Sequence, residues 1–272
     1  IIKGDVTSDY SVFEISKFYK FDVVVHAAGL ASDVGPEYLF RKLNLESVKY
    51  VSKLAKEKFI HISSTDVYGI MDFIEADEDT ELFEYPLNLY LRYKIEAENW
   101  IKENCEKYVI IRPAAVYGNG DKTIEPRIVN FLKKSPFIIN FGRWKGQNRW
   151  PATSVDNITK TILAVVTHNE YDNQAINVID PKIITVREYY EEIAKKYFPN
   201  KKFIKIVLPF WFGKLIGKVS TLLSNISCST IPIFDPTYYS VHHVSSNLDY
   251  SSKKMEEVLQ LLEENTKSEL NK

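Results

Sequence analysis

An α/β protein with a doubly wound parallel sheet and a smaller C-terminal cap is the fold class this sequence predicts. Three observations carry that reading. Strand-like and helix-like segments alternate through the first two thirds of the chain. The strand-like segments 23–25, 59–62 and 109–111 are apolar without alternation, as strands covered on both faces are. The last third breaks into short apolar runs between Pro199, Pro209, Pro232 and Pro236, which suits a cap assembled from dispersed pieces.

Taken in order, residues 36–58 and 88–106 show apolar positions at spacings of three and four, so each predicts a crossover helix between parallel strands. Residues 117–121 are turn-rich, and 133–150 carry Pro136, Gly142 and Gly146 among aromatics, an excursion from the sheet. Residues 155–166 read as helix, 175–179 as a further strand and 185–197 as another helix. The sheet's carboxyl edge is where such folds hold a nucleotide cofactor. The predicted boundaries are a cofactor domain over 1–117, rejoined by 151–180, and a substrate-binding cap formed by 118–150 and 181–272.

Bulk properties narrow the function. The 272 residues are 45% hydrophobic and 26% charged, the proportions of a folded, water-soluble body. A formal net charge of -1 with both signs interspersed provides no field for nucleic acid. Cys105 and Cys228 are far apart and have no partner at metal-ligand spacing, so neither a disulfide framework nor a metal site is predicted, and a reducing, cytoplasmic setting is the default. The first residue is Ile1 rather than methionine, which reads as a chain trimmed at its start. Residues 207–223 are apolar but interrupted by Lys214 and Lys218, too short and too charged for a bilayer span. They read as a pocket lid or as an interfacial helix in peripheral contact with a membrane. His242 and His243, read on a strand, point to opposite faces and do not share a metal.

Tyr90 and Lys94, in NLYLRYK, carry the chemistry, because a spacing of four places both on one helix face. A phenol with an ordinary pKa near 10 must be lowered by roughly three units to exchange protons near neutrality, and a fixed ammonium supplies part of that. Spacing alone does not single the pair out. Roughly two such pairs are expected by chance, and Tyr38 with Lys42, Tyr197 with Lys201 and Tyr250 with Lys254 share it. Context does: the helix of Tyr90 follows a buried strand that ends in Ser63, Ser64 and Thr65. A hydroxyl there can bond the same substrate oxygen that Tyr90 protonates.

The segment HISSTDVYG at 61–69, followed by Tyr90 and Lys94, resembles the active-site core of the extended short-chain dehydrogenases/reductases. The resemblance continues in GDVTSD at 4–9, VVVHAAG at 23–29, IIRPAAVYG at 110–118 and SVDNI at 154–158. It implies a Rossmann-like sheet whose first βαβ unit, with its glycine-rich phosphate turn, is missing from this sequence. It also implies Ser64, Tyr90 and Lys94 as catalytic residues, NAD or NADP as cofactor, and Asp5, Val6, Ala27, Ala28, Gly29, Pro113 and Val116, with Tyr90 and Lys94, as cofactor contacts. Asn44 falls where the family has a helix asparagine supporting the site. Residues 208–224, 232–240 and 249–259 are most similar to the 3-beta-hydroxysteroid and sterol-carboxylate dehydrogenase branch, which implies an apolar alcohol or ketone as substrate.

Three functions follow. The first is an NAD(P)-dependent oxidoreductase on a secondary alcohol or ketone, with a homodimer as a further expectation. The second is a nucleotide-sugar epimerase or dehydratase, for which Arg127, Arg143, Lys145 and Arg149 would hold the diphosphate while aromatics at 210–212 favour the apolar alternative. The third is a truncated, non-catalytic homologue.

Overall fold

The computed structural model describes residues 1–270, with side chains to residue 264. Four parallel strands form the central sheet in the order β1-β2-β3-β8: β1 (Phe21–His26), β2 (Ala55–Ile62), β3 (Tyr108–Pro113) and β8 (Gln174–Val178). Its helices cover both faces, as the uninterrupted apolar strands require. α1 (Asp9–Ser16), α2 (Glu37–Arg41), α3 (Ser47–Val51) and α4 (Leu89–Asn104) lie on one side, around Phe40, Val48, Phe59, Ala97 and Ile110. Ile60, Ile111 and Ile176 face the other side, against α6 (Val155–Thr167) and α10 (Lys253–Leu270). α10 thus packs on the sheet body, whereas the sequence reading assigned everything from 181 onward to the cap.

The remaining elements lie outside the central sheet. β4 (Ala115–Tyr117) pairs with β7 (Ala152–Ser154), and β6 (Arg149–Trp150) with β9 (Ile184–Thr185). β5 (Phe137–Phe141) runs parallel to β10 (Ile204–Leu208), and α5 (Glu125–Lys134) packs on α7 (Val186–Tyr197). α8 (Phe210–Ile226) lies against α9 (Tyr238–Ser245). His242 and His243 therefore sit on a helix and not on a strand, so they point about 100° apart instead of to opposite faces.

α8 corrects a third expectation. Its buried face consists of small residues, Gly213, Gly217, Ser220 and Ser224. A Cβ on Gly217 would stand 2.8 Å from the Thr237 carbonyl oxygen, so only glycine permits this approach. The large apolar side chains face outward instead: Trp211 is 66% exposed and Ile226 70%. No helix among the described residues is long and apolar enough to cross a membrane.

Candidate active site

Register places the site. β2 ends at Ile62, and the Ser63 amide donates to the Ile111 carbonyl of β3 at 2.7 Å, extending the pairing by one residue. Ser64 then caps a 3₁₀ turn, its hydroxyl accepting from the Asp66 amide at 3.2 Å. α4 starts after Asn88, whose side chain accepts from the Leu91 amide at 3.0 Å and satisfies an orphan donor of the first turn. That start sets the helix phase, so Leu91, Lys94, Ala97, Glu98 and Ile101 form the buried face with Tyr90 one step round at the rim.

Tyr90 and Ser64 come together: both line a cavity of about 340 Å³ between sheet and cap, and the Ser64 hydroxyl acts on the Tyr90 phenol. Lys94 lies beneath them. Its ammonium donates to the Ile62 carbonyl at 2.6 Å and stands 6.0 Å from the centroid of the Tyr90 ring. Burial brings the Lys94 pKa down to about 8, against the pull of Glu98 one turn further on. The phenol does not follow the sequence expectation of a lowered pKa. Burial pushes Tyr90 above its ordinary range and the Asp66 carboxylate adds to this, while only the Ser64 bond opposes it. Burial and the Asp66 carboxylate, both invisible in the spacing argument, thus set the direction.

The other predicted contacts divide. Val116 lines the cavity, and Pro113 is buried at the end of β3. Ala27, Ala28 and Gly29 leave β1 at the sheet's carboxyl edge, with Ala27 and Gly29 exposed. Asn44 exchanges two bonds with the Leu30 backbone, accepting from its amide at 2.7 Å and donating to its carbonyl at 3.0 Å. A Cβ on Gly29 would stand 2.9 Å from the Asn44 Oδ1 and 3.6 Å from the Lys94 Nζ. This edge is thus an open cradle of small residues over an ammonium, a donor set that fits the ribose end of a nicotinamide dinucleotide. Asp5 and Val6 lie elsewhere, ahead of α1. Asp5 is exposed, and its carboxyl is held low first by the Thr7 hydroxyl and then by the Thr7 amide.

Residues not singled out in the sequence complete the wall. Asp66 accepts from the Tyr239 hydroxyl and faces His243 Nε2 at 3.5 Å. Burial disfavours its charge, yet His243 and Tyr239 hold the carboxyl below its usual range. Arg127 of α5 is gripped by Asp33 and Asp235. Ile124, Ile128, Phe131, Phe141 and Trp150 supply an apolar side. The 210–212 aromatics are absent from this wall, contrary to the lid reading, because α8 turns them away from it. Arg143 pairs with Asp72 and Arg149 with Asp249, and neither lines the cavity, nor does Lys145. The signal for Tyr239 and His243 was their spacing of four, legible only once 238–245 is known to be helix.

Beneath the site, Arg112 makes a two-pronged contact with Glu98, Nε at 3.1 Å and Nη2 at 2.6 Å, and donates to the Tyr68 hydroxyl at 2.6 Å. Tyr68 in turn donates to the Asn177 Oδ1 at 2.7 Å. All four side chains are buried, and they fasten α4 to β3 and β8.

Residues 1–178 match the family model of the NAD dependent epimerase/dehydratase family. The chain belongs to that family. It is 30% identical over 213 residues to a UDP-glucose 4-epimerase of Vibrio cholerae, covering 72% of this chain and 64% of that protein. It is 24% identical over 241 residues to a decarboxylating sterol-4-alpha-carboxylate 3-dehydrogenase of Candida albicans, covering 82% and 67%. The UDP-glucuronic acid 4-epimerase of Bacillus cereus, solved with NAD, shares the fold at a TM-score of 0.60 and 18% identity, over 95% of this chain and 81% of that one. The α/β architecture is therefore the Rossmann-like fold of NAD(P)-dependent epimerases and reductases. The chain spans just under two thirds of the first relative's length.

Proposed function

We propose that the complete protein is an NAD(P)-dependent oxidoreductase acting on a secondary alcohol or ketone, similar to the 3-beta-hydroxysteroid dehydrogenases. The observation that carries this reading is Tyr90 and Ser64 together lining a cavity walled by Phe131, Phe141 and Trp150. Tyr90 is the general acid: a phenol whose pKa is raised is fully protonated near neutrality and ready to donate to a carbonyl oxygen. Ser64 orients that oxygen, and Lys94 keeps its donors toward the ribose edge formed by Ala27, Ala28 and Gly29, with Pro113 and Val116 on the nicotinamide side and Asp5 and Val6 toward the adenine. A bound nicotinamide would supply or take up the hydride. In the full-length protein, Tyr90→Phe should abolish reduction of a ketosteroid while cofactor binding persists. Undiminished turnover would refute the assignment.

Epimerisation or dehydration of a nucleotide sugar is the second reading, favoured by the likeness to the Vibrio cholerae enzyme. A panel of hydroxysteroids and UDP-sugars separates the two. We further propose that α8 meets a membrane surface. Trp211, Leu215, Leu222 and Ile226 share its outward face, and Lys214 and Lys218 flank it, the arrangement of an interfacial helix. Co-sedimentation with vesicles rich in anionic lipid should fall severalfold in Trp211→Glu/Ile226→Glu. Unchanged sedimentation, or a dimer in solution that the same changes dissociate, would overturn this.

A further inference from the structure

Arg127 is the one Lys or Arg in the cavity wall among the described residues. A guanidinium there is the natural partner for a carboxylate or phosphate on a substrate, since its donors form a fork that matches either anion. In this protein the Nε and Nη2 side of the fork is already engaged. Nη2 donates to the Asp33 Oδ2 at 2.9 Å and to Asp235 Oδ1, and Nε donates to the Asp235 Oδ2 at 3.4 Å.

The clamp is assembled from three distant segments: the loop after β1, α5, and the stretch entering α9. Asp33 is fixed from its other side by the Thr237 hydroxyl, which donates to the same Oδ2 at 2.5 Å, and Thr237 is fully buried as the cap of α9. Asp33 itself is 9% exposed. These are positions built into the fold and not a mobile surface pair. Burial alone would weaken the Arg127 cation, but the two carboxylates reverse that and keep it charged.

Asp66 adds a third carboxylate to the wall. Three acids therefore share the lining with one guanidinium, and counting His243 as a cation still leaves it negative. An incoming anion finds only the Nη1 donors of Arg127 without an aspartate partner, and to reach them it enters a negative field.

We propose that the Asp33 and Asp235 clamp on Arg127 is the specificity determinant of this cavity, admitting an uncharged apolar alcohol or ketone and rejecting carboxylated or phosphorylated counterparts. The proposal rests on reading the cavity as the substrate site. Specificity of this kind comes from a repulsive element as much as from an attractive one.

Calorimetric titration of the full chain with a neutral 3-hydroxysteroid, the same steroid bearing a carboxylate, and UDP-glucose tests it. The wild-type protein should prefer the neutral steroid over its carboxylate by about tenfold or more, the scale of one unfavourable charge in such a site. In Asp33→Asn/Asp235→Asn that ratio should collapse toward one or invert. A ratio unchanged in the folded double variant overturns the clamp. Should circular dichroism show the double variant unfolded, Asp235→Asn alone, which keeps the Asp33 contacts, is held to the same ratio. Tight UDP-glucose binding by the wild type overturns both the clamp and the substrate reading. Weak binding of every steroid, with the carboxylate still gaining in the variant, counts against the substrate reading alone.

Discussion

The two sides of the cavity are held by ion pairs of different kinds. On the sheet side, Glu98 and Arg112 are buried together with Tyr68 and Asn177, and every contact lies within the body. On the cap side, Arg127 and Asp235 are each 32% exposed and join segments 108 residues apart. Removing one member of a buried pair leaves a charge with neither water nor partner, whereas a partly hydrated pair loses little. The contrast teaches where this molecule is rigid and where it is selective. The sheet side fixes the proposed reacting groups, because α4 carries Tyr90, Lys94 and Glu98 on a single helix pinned to β3. The cap side shapes what can approach them.

The largest effect expected from breaking the sheet side is chemical. General acid catalysis contributes about 10²- to 10⁴-fold, so Tyr90→Phe in the full-length enzyme should lower kcat by at least that range, while thermal unfolding of the protein hardly moves. Ser64→Ala should lower it less, about 10²-fold, as loss of one oriented donor does. If Ser64→Ala proved the more damaging of the two, the assignment of the acid would have to be exchanged.

Next comes stability. Glu98→Gln leaves Arg112 charged and half-bonded at full burial, and should destabilise by about 3–5 kcal/mol in urea unfolding. A loss below about 1 kcal/mol would mean that water reaches the pair, and the contrast between the two sides would fail.

This division also explains what could be read in the sequence. The sheet side was legible because its parts are close in the chain and follow periodicity: a buried strand ending in Ser63 and Ser64, then a capped helix opening at Tyr90. The apolar runs at 23–25, 59–62 and 109–111 lie within β1, β2 and β3 for the same reason. The direction of the Tyr90 pKa was not legible, since burial and the Asp66 charge are properties of the folded cavity. The cap wall was still less so. Thr237 meets Asp33 across 204 residues and Tyr239 meets Asp66 across 173, separations that no local pattern encodes. α8 misled because its large apolar residues suggested an inward lid, while the partner helix admits only glycine and serine on the inner face. α10 carries an ordinary amphipathic pattern, and nothing in that pattern says which of two bodies it covers.

A third test probes the sheet side by pH. His26 and His61 are paired across β1 and β2, with ring centroids 5.5 Å apart, and both are buried near Lys94. Burial, reinforced by that ammonium, brings His26 down to about 4 and His61 well below its ordinary value. The unfolded chain, with histidines near 6.5, therefore takes up protons that the native state refuses. Stability is fully present above about pH 6.5 and is lost as pH falls toward 4, by about 3 kcal/mol from His26 alone. His26→Phe should flatten this acid limb in chemical denaturation. An unaltered slope would show that the two imidazoles already bind protons in the native state.

The smallest expected change in stability is the one that sharpens the comparison most. Asp235→Asn breaks one arm of the clamp, but Asp33 still holds Arg127, and both partners of the broken bond are partly hydrated. The cost in unfolding free energy should be within about 1 kcal/mol, a fraction of that for Glu98→Gln. A cost approaching that of Glu98→Gln would make the clamp a structural fastener like its counterpart under α4. A small cost, together with altered ligand preference, would place selectivity in side chains that the fold can lose without unfolding, so that the cap wall is free to change while the chemistry beneath it stays fixed.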